Sequence, residues 1–460
     1  MSAILGAASP APHWLWTLPF VAILLAIAVL PLIRATHHWW ENNRNKLLVS
    51  VVLAAVTLGY YYNRATGYHE SAPGAPSVGS VLEHSLLGEY VPFLTLLFSL
   101  YVIAGGIAVT GDLRATPLVN SAILGVGALI ASFVGTTGAS MVLIRPLLMT
   151  NRERKRVAHT VVFFIFLVSN VGGSLLPIGD PPLFLGYLRG VPFLWTLRLW
   201  KEWALCCAAL LVIYYFLDRW MFRHETPSDR IHDRLDITPL RITGLVNILW
   251  LTLAVLAVAL LDTSKVIPGT TWKPFPFLRE GVLLALAGVS LLTTPRAARE
   301  ANQFNYAAIG EVAALFLGIF ITMQVPIEIL HSLGPTLAER GFTHPYQYFW
   351  ATGILSSFLD NAPTYVVFFE AANQLTHEPG PGIIKLITGE FIREDLLVAI
   401  SCGAVFMGAN TYIGNGPNFM VKAIAEQSGV KMPSFFGYMG YSAAILLPLF
   451  FVVTLVFFAY

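Results

Sequence analysis

Apolar residues in this chain gather into runs long enough to cross a bilayer, divided by short polar or basic stretches. That pattern predicts an all-α polytopic membrane protein, since a spanning helix needs about 20 apolar residues to cross a hydrocarbon core about 30 Å thick. Unbroken spans are predicted near 14–33, 46–62, 86–108, 203–221, 243–262, 281–294, 306–326 and 437–460. Two further runs, 157–188 and 394–426, are interrupted midway. The first break reads Asn170-Val171-Gly172-Gly173-Ser174 and then Ile178-Gly179-Asp180-Pro181-Pro182. The second reads Gly408-Ala409-Asn410-Thr411 and then Ile413-Gly414-Asn415-Gly416-Pro417-Asn418. Gly and Pro disfavour a continuous helix, and irregular backbone at that depth survives only where protein buries it or where it lines a cavity. Segments 117–149 and 346–375 are apolar but cut by small, polar and proline residues. Their arms are too short to cross, so each is expected to be a re-entrant hairpin.

The order of elements repeats along the chain. Residues 1–221 form a first repeat and 243–460 a second, each with about five transmembrane helices, one of them broken, plus one hairpin. Ser132-Phe133-Val134-Gly135-Thr136-Thr137 aligns with Ser357-Phe358-Leu359-Asp360-Asn361-Ala362, and Ile178-Gly179-Asp180-Pro181-Pro182 with Ile413-Gly414-Asn415-Gly416-Pro417. An odd number of crossings per repeat makes the second inverted relative to the first. Secondary transporters built this way place their sites at broken helices near the midplane. The polar segment 222–242 is the expected cytoplasmic linker. With both hairpins re-entrant and the N-terminus outside, the basic stretches 34–46, 152–156, 219–241 and 296–299 all fall on one side, which the positive-inside rule makes the cytoplasm. No basic n-region precedes the first apolar run, so no cleaved signal peptide is expected.

Composition narrows the class. Of 460 residues, 56% are hydrophobic and 12% charged, with mean hydropathy +0.67, whereas soluble domains carry about 25% charged residues. A net charge of +2 leaves no basic patch for nucleic acid. Cys206, Cys207 and Cys402 all lie in apolar runs and offer neither a disulfide framework nor metal spacing. No His-Glu-x-x-His, His-x-x-x-His or Gly-x-Ser-x-Gly motif appears, so neither an enzyme nor a bound cofactor is expected.

The chemistry concentrates at the breaks. Four helix starts are expected to converge, two after the hairpin tips and two after the helix breaks. Each carries roughly half a positive charge and unpaired N–H groups, so the centre would by itself attract an anion. This chain places Asp180 in one broken helix and Asp360 in one hairpin tip, one from each repeat. An ionisable group at that depth is a functional candidate by default. Such a carboxylate takes either a proton or a dehydrated Na⁺, and competition between the two gives exchange. Asp180, Asp360, Asn361 and Asn415 are the expected Na⁺ ligands. Thr136, Thr137, Ser140, Asn170, Ser174, Thr364, Asn410, Thr411 and Asn418 supply hard oxygens along the ion path. A plainer reading competes at each acid, because Asp before Pro is a good helix cap. His159 is expected at headgroup level, Glu311 near the cytoplasmic interface, and Glu370 in water.

These motifs resemble the ion transporter superfamily that holds the NhaD-type Na⁺/H⁺ antiporters, the arsenite permeases, and the Na⁺-coupled dicarboxylate and citrate carriers. Gly135-Thr136-Thr137-Gly138-Ala139-Ser140, the Gly-Asp-Pro-Pro break, Phe358-Leu359-Asp360-Asn361 and the second break carry the resemblance, about 80 residues in each half. The acid in the second hairpin and the Gly-Asp-Pro-Pro break look most like the antiporter branch. Carboxylate carriers of the superfamily use Ser-Asn-Thr triplets at both hairpin tips, and neither tip here has one. The resemblance therefore implies a Na⁺(Li⁺)/H⁺ antiporter, with a Na⁺- or H⁺-coupled citrate or dicarboxylate symporter as the alternative. It also implies a homodimer in a bacterial inner membrane, in contact with lipid, Na⁺ and H⁺.

Overall fold

A computed structural model describes residues 11–33, 35–68, 71–225, 238–262, 266, 271–339, 341–376 and 378–459. Among the described residues six helices are long and apolar enough to cross a membrane: Asn43–Asn63, Ala75–Ala104, Pro117–Val134, Phe193–Arg223, Ala307–Leu333 and Phe435–Phe458. The all-α polytopic expectation holds.

In chain order the helices that frame the site are α1 (Leu18–Val29), α2 (Asn43–Asn63) and α3 (Ala75–Ala104). A hairpin follows, α4 (Pro117–Val134) and α5 (Thr136–Thr150), then a broken helix, α6 (Ala158–Leu167) and α7 (Pro181–Leu188). After α8 (Trp200–Arg223) come α9 (Val246–Leu260), α10 (Leu278–Thr293), α11 (Ala307–Thr322) and α12 (Gln324–Glu339). The second hairpin is α13 (Pro345–Phe358) with α14 (Asn361–Asn373), and the second broken helix α15 (Glu394–Met407) with α16 (Gly416–Gln427). Helix α17 (Phe435–Val453) closes the chain. In each half two helices joined by a tight turn are followed by two short helices separated by irregular chain.

Burial explains the compositions. Helix α6 is apolar on every side, and Val161 through Val168 are all fully buried, as are most residues of α15. A helix hydrophobic all round belongs in the interior. The first halves of the broken helices, α6 and α15, are therefore innermost, while α2 exposes Leu47, Leu48, Val51, Val52 and Val56 on one side. Cys206, Cys207 and Cys402 are free and buried.

Four sequence expectations change. The arm α4 has 18 residues and is long and apolar enough to span, so it is not too short, although its partner α5 has 15. Two small antiparallel ribbons join Ala108–Thr110 to Arg241–Thr243 and Ile383–Lys385 to Phe391–Arg393, where the apolar pattern predicts no strand. The first ribbon is reinforced by Asp112, whose carboxylate accepts from the Thr238 N–H at 2.7 Å. The end of the predicted linker is thus fixed to the end of α3; Arg34 and residues 226–237, also part of the basic-side reading, lie outside the described residues. Glu370 is not in water but 9% exposed, bonded to Arg189 at 2.9 Å. Glu311 is half-exposed and paired with Lys46 at 2.7 Å.

His159 is the fourth change. It is buried rather than at headgroup level, because Asp218 on the last turns of α8 reaches it at 2.8 Å. Arg154 binds the same carboxylate at 2.6 and 3.1 Å, and Asn120 donates to it at 3.3 Å. This cluster fastens the base of the first hairpin to α8. Removing one partner of a buried ion pair leaves an uncompensated charge and costs about 3–5 kcal/mol. Arg154→Ala should therefore lower the thermal unfolding midpoint in detergent sharply, and Asp218→Asn, which strands the buried Arg154 guanidinium and turns an accepting oxygen into a donor, should do so at least as strongly.

Candidate functional site

Each of the four converging helix starts supplies one residue to a single contact. Asp180 stands just before α7 with extended backbone, held there by Pro181 and Pro182, whose rings fix the first helical turn. Its carboxylate makes no capping bond to its own helix. It accepts instead from the Thr136 hydroxyl at 2.8 Å, the Asn361 amide at 2.6 Å and the Asn415 amide at 3.2 Å. Thr136 opens α5, Asn361 opens α14, and Asn415 precedes α16. Asp180 is 1% exposed. Among the described residues no Lys, Arg or His forms an ion pair with it. Three neutral donors hold a fully buried carboxylate, at the tips of both hairpins and both breaks.

Asp360 does not join this contact. It is half-buried, and its carboxylate caps α14 by accepting from the Ala362 N–H at 3.0 Å. The plainer capping reading thus describes Asp360 and not Asp180. Thr364 donates to the Asp360 carbonyl at 2.9 Å, within its own helix. Asn361, next in the chain, links the second hairpin to Asp180.

The other predicted donors form a shell beneath. Asn170 donates to the Ile165 carbonyl at 2.8 Å and to Asn418 Oδ1 at 2.7 Å. Asn415 also donates to the Ser169 carbonyl at 3.1 Å and to Asn170 Oδ1 at 3.2 Å. Asn418 donates to the Gly408 and Thr411 carbonyls at 2.8 and 2.9 Å. Thr411 donates to the Ser357 carbonyl at 2.5 Å and accepts from the N–H groups of Ile413 and Gly414. Asn410 donates to Ser357 Oγ at 2.9 Å, and Ser140 and Ser169 share a hydrogen bond at 2.8 Å. These bonds satisfy the unwound backbone, which in lipid surroundings must be satisfied internally. Ser174 stays within its own turn, bonded to the Val171 carbonyl, and Thr137 is half-buried at the first hairpin tip.

Some of the site lies outside the predicted set. Ser132 accepts from the Leu175 N–H and donates to the Gly172 carbonyl, which seats the first hairpin on the first break. Ser357 does the same for the second, through the Met407 carbonyl and Asn410. Both serines stand at matching places in the internal alignment, which was the available signal. The Thr136 N–H donates to the Gly179 carbonyl at 2.8 Å, a backbone bond with no sequence signature.

Two buried amide oxygens at this centre, Asn361 Oδ1 and Asn410 Oδ1, receive no hydrogen bond. An unsatisfied buried acceptor is costly. Asn361 is the one of the two whose amide nitrogen also bonds Asp180, while Asn410 stands in the second break and donates to Ser357. No group of three His, Cys, Asp or Glu able to hold a metal ion exists among the described residues.

A family model described as putative citrate transport matches residues 9–458, nearly the whole chain. No curated protein matches the sequence.

Proposed function

The chain belongs to this citrate-transport family, and from that membership we propose that it is a secondary transporter whose coupling ion, a proton or Na⁺, is carried by Asp180 and whose cargo is a citrate-like carboxylate. The observation that carries the reading is the fully buried Asp180 carboxylate, bonded only by neutral donors. An isolated buried charge of this kind is expensive unless it is neutralised. A cation or proton relieves that cost, so its binding is built into the site.

Charge balance then links ion to cargo. Four helix starts contribute about +0.5 each, against one negative charge from each of Asp180 and Asp360. With both acids ionised the centre is roughly neutral. Once Asp180 takes a cation or proton, a net positive field remains and favours an anion. Binding of ion and carboxylate would then be mutually reinforcing, as linkage requires, and symport follows. The two halves act as inverted repeats in an inner membrane, and two copies of the chain make the working unit.

A second reading is Na⁺(Li⁺)/H⁺ antiport. What favours it is that the side chains at the helix starts already bond Asp180, and among the described residues no guanidinium or ammonium is bonded there for an anion. Protein reconstituted in liposomes separates the two. Labelled citrate accumulating under an imposed Na⁺ or pH gradient is expected for symport. Na⁺-driven proton release without citrate would establish the antiporter instead, and the absence of both would remove the transporter reading.

A further inference from the structure

A second buried charge cluster lies at the far ends of the two short helices that meet at the site. Arg189 follows the last residue of α7, and Glu370 lies on α14. Asp180 to Arg189 and Asn361 to Glu370 are the same nine-residue step, so the two helices are tied at both ends. At the site end Asn361 meets Asp180 at 2.6 Å; at the far end Arg189 Nε donates to Glu370 at 2.9 Å. Between the ties they press together closely. A Cβ added at Gly186 on α7 would lie 2.3 Å from the hydroxyl of Tyr365 on α14.

Arg189 has a second partner that belongs elsewhere. Its Nη2 donates at 2.5 Å to Glu89, which sits in the π-helical stretch Glu83–Tyr90 of α3. Gln324, at the start of α12, donates to Glu89 at 3.3 Å, and His331 on α12 meets Glu370 at 3.1 Å. The Arg189, Glu89 and Glu370 side chains are only 10%, 8% and 11% exposed. Among the described residues α3 gives no side chain to the Asp180 contact. Stretches of π-helix recur at functional sites, where a widened turn re-aims a side chain.

We propose that the two bonds of Arg189 have different duties. The Glu370 bond is a staple that holds α7 and α14 as one unit and so positions Asn361 against Asp180. The Glu89 bond is a latch that ties this unit to α3 on the face away from the basic loop 152–156, and it opens whenever the site changes sides. The inference rests on the transporter reading above, because alternating access moves site-bearing elements against the rest of the protein. A bond within the moving unit persists through that motion, while a bond across its boundary must break.

The full-length protein in liposomes, carrying Glu89→Gln or Glu370→Gln, tests the division. Glu370→Gln should raise KM for the coupling ion about tenfold, the size of a loss of about 1.4 kcal/mol. Glu89→Gln should leave KM within about twofold but change the maximal rate by about fivefold or more. It should also raise labelling of a Thr137→Cys reporter by an impermeant maleimide, about tenfold, from the Arg189 side. The three native cysteines are buried and give little background. If Glu89→Gln does not fold, Glu89→Asp, which keeps the charge and shortens its reach, should shift rate and labelling the same way. Glu89 variants that raise KM as much as Glu370→Gln, or that leave labelling unchanged, would overturn the latch. Wild-type protein that moves neither citrate nor cations would instead fail the transporter reading, and the labelling arm would still report on the latch.

Discussion

Asp180→Asn should abolish gradient-driven transport, lowering it by about a hundredfold or more, while the protein still folds. The substituted amide keeps the shape of the carboxylate and one of its accepting oxygens, so Thr136 can still be bonded. What it loses is the charge. A neutral group in that position no longer needs a cation or proton, and the field of the four helix starts no longer depends on one. Burying an amide is also cheaper than burying an ionised acid, so thermal stability in detergent should be unchanged or raised. Asp360→Asn should act differently. Asp360 caps α14 through the Ala362 N–H, and Asn caps a helix as well as Asp does, so this variant should fold with near-native stability and retain measurable transport. Citrate accumulation, or Na⁺-driven proton release if that is the activity found, measures both variants. Asp180→Asn that transports like wild type would defeat the coupling assignment.

Adding one methyl group at a helix break should have the largest effect on folding. A Cβ at Gly179 would stand 2.1 Å from the Gly173 carbonyl oxygen, and one at Gly414 would stand 2.5 Å from the Gly408 oxygen and 2.7 Å from the Ser356 oxygen. Neither glycine has a positive φ, so the requirement is close approach of backbone to backbone. Main-chain atoms held by the surrounding bonds cannot yield as a flexible side chain would. Overpacking usually costs about 1–3 kcal/mol, and these contacts should exceed that range. Gly179→Ala and Gly414→Ala should therefore give little monodisperse protein and a strongly lowered unfolding midpoint. Gly416→Ala is the control, because an added Cβ there meets nothing within 4 Å and the residue opens α16. Equal behaviour of all three would show that the breaks are not packed as described.

Much of this arrangement is legible in the chain because its signals are local. Gly-Gly, Asp-Pro-Pro and Gly-Asn-Gly-Pro inside apolar runs can only be breaks, and the breaks fall where those motifs stand. The matching order of hairpin and broken helix follows from the same punctuation. Partner choice is a different matter. The sequence treats Asp180 and Asp360 alike, since both precede a helix start, and only the folded chain turns one toward Thr136, Asn361 and Asn415 and the other onto its own helix. Asp218 with His159 and Arg189 with Glu370 are pairings across 59 and 181 positions, and nothing local announces them. The local pattern alone therefore puts His159 at headgroup level and Glu370 in water. The extension of the second half's long span through α12 was hidden by the polar residues Gln324, Glu328 and His331, whose partners Tyr68, Arg64 and Glu370 come from distant segments.

Infrared difference spectroscopy of the purified protein tests the role of Asp180 most directly. Adding the coupling cation, or stepping the pH, should produce a carboxyl band in the wild type that is missing from Asp180→Asn and retained in Asp360→Asn. The same band in Asp180→Asn as in the wild type would mean that the ion is taken up elsewhere, and the account would be wrong at its centre.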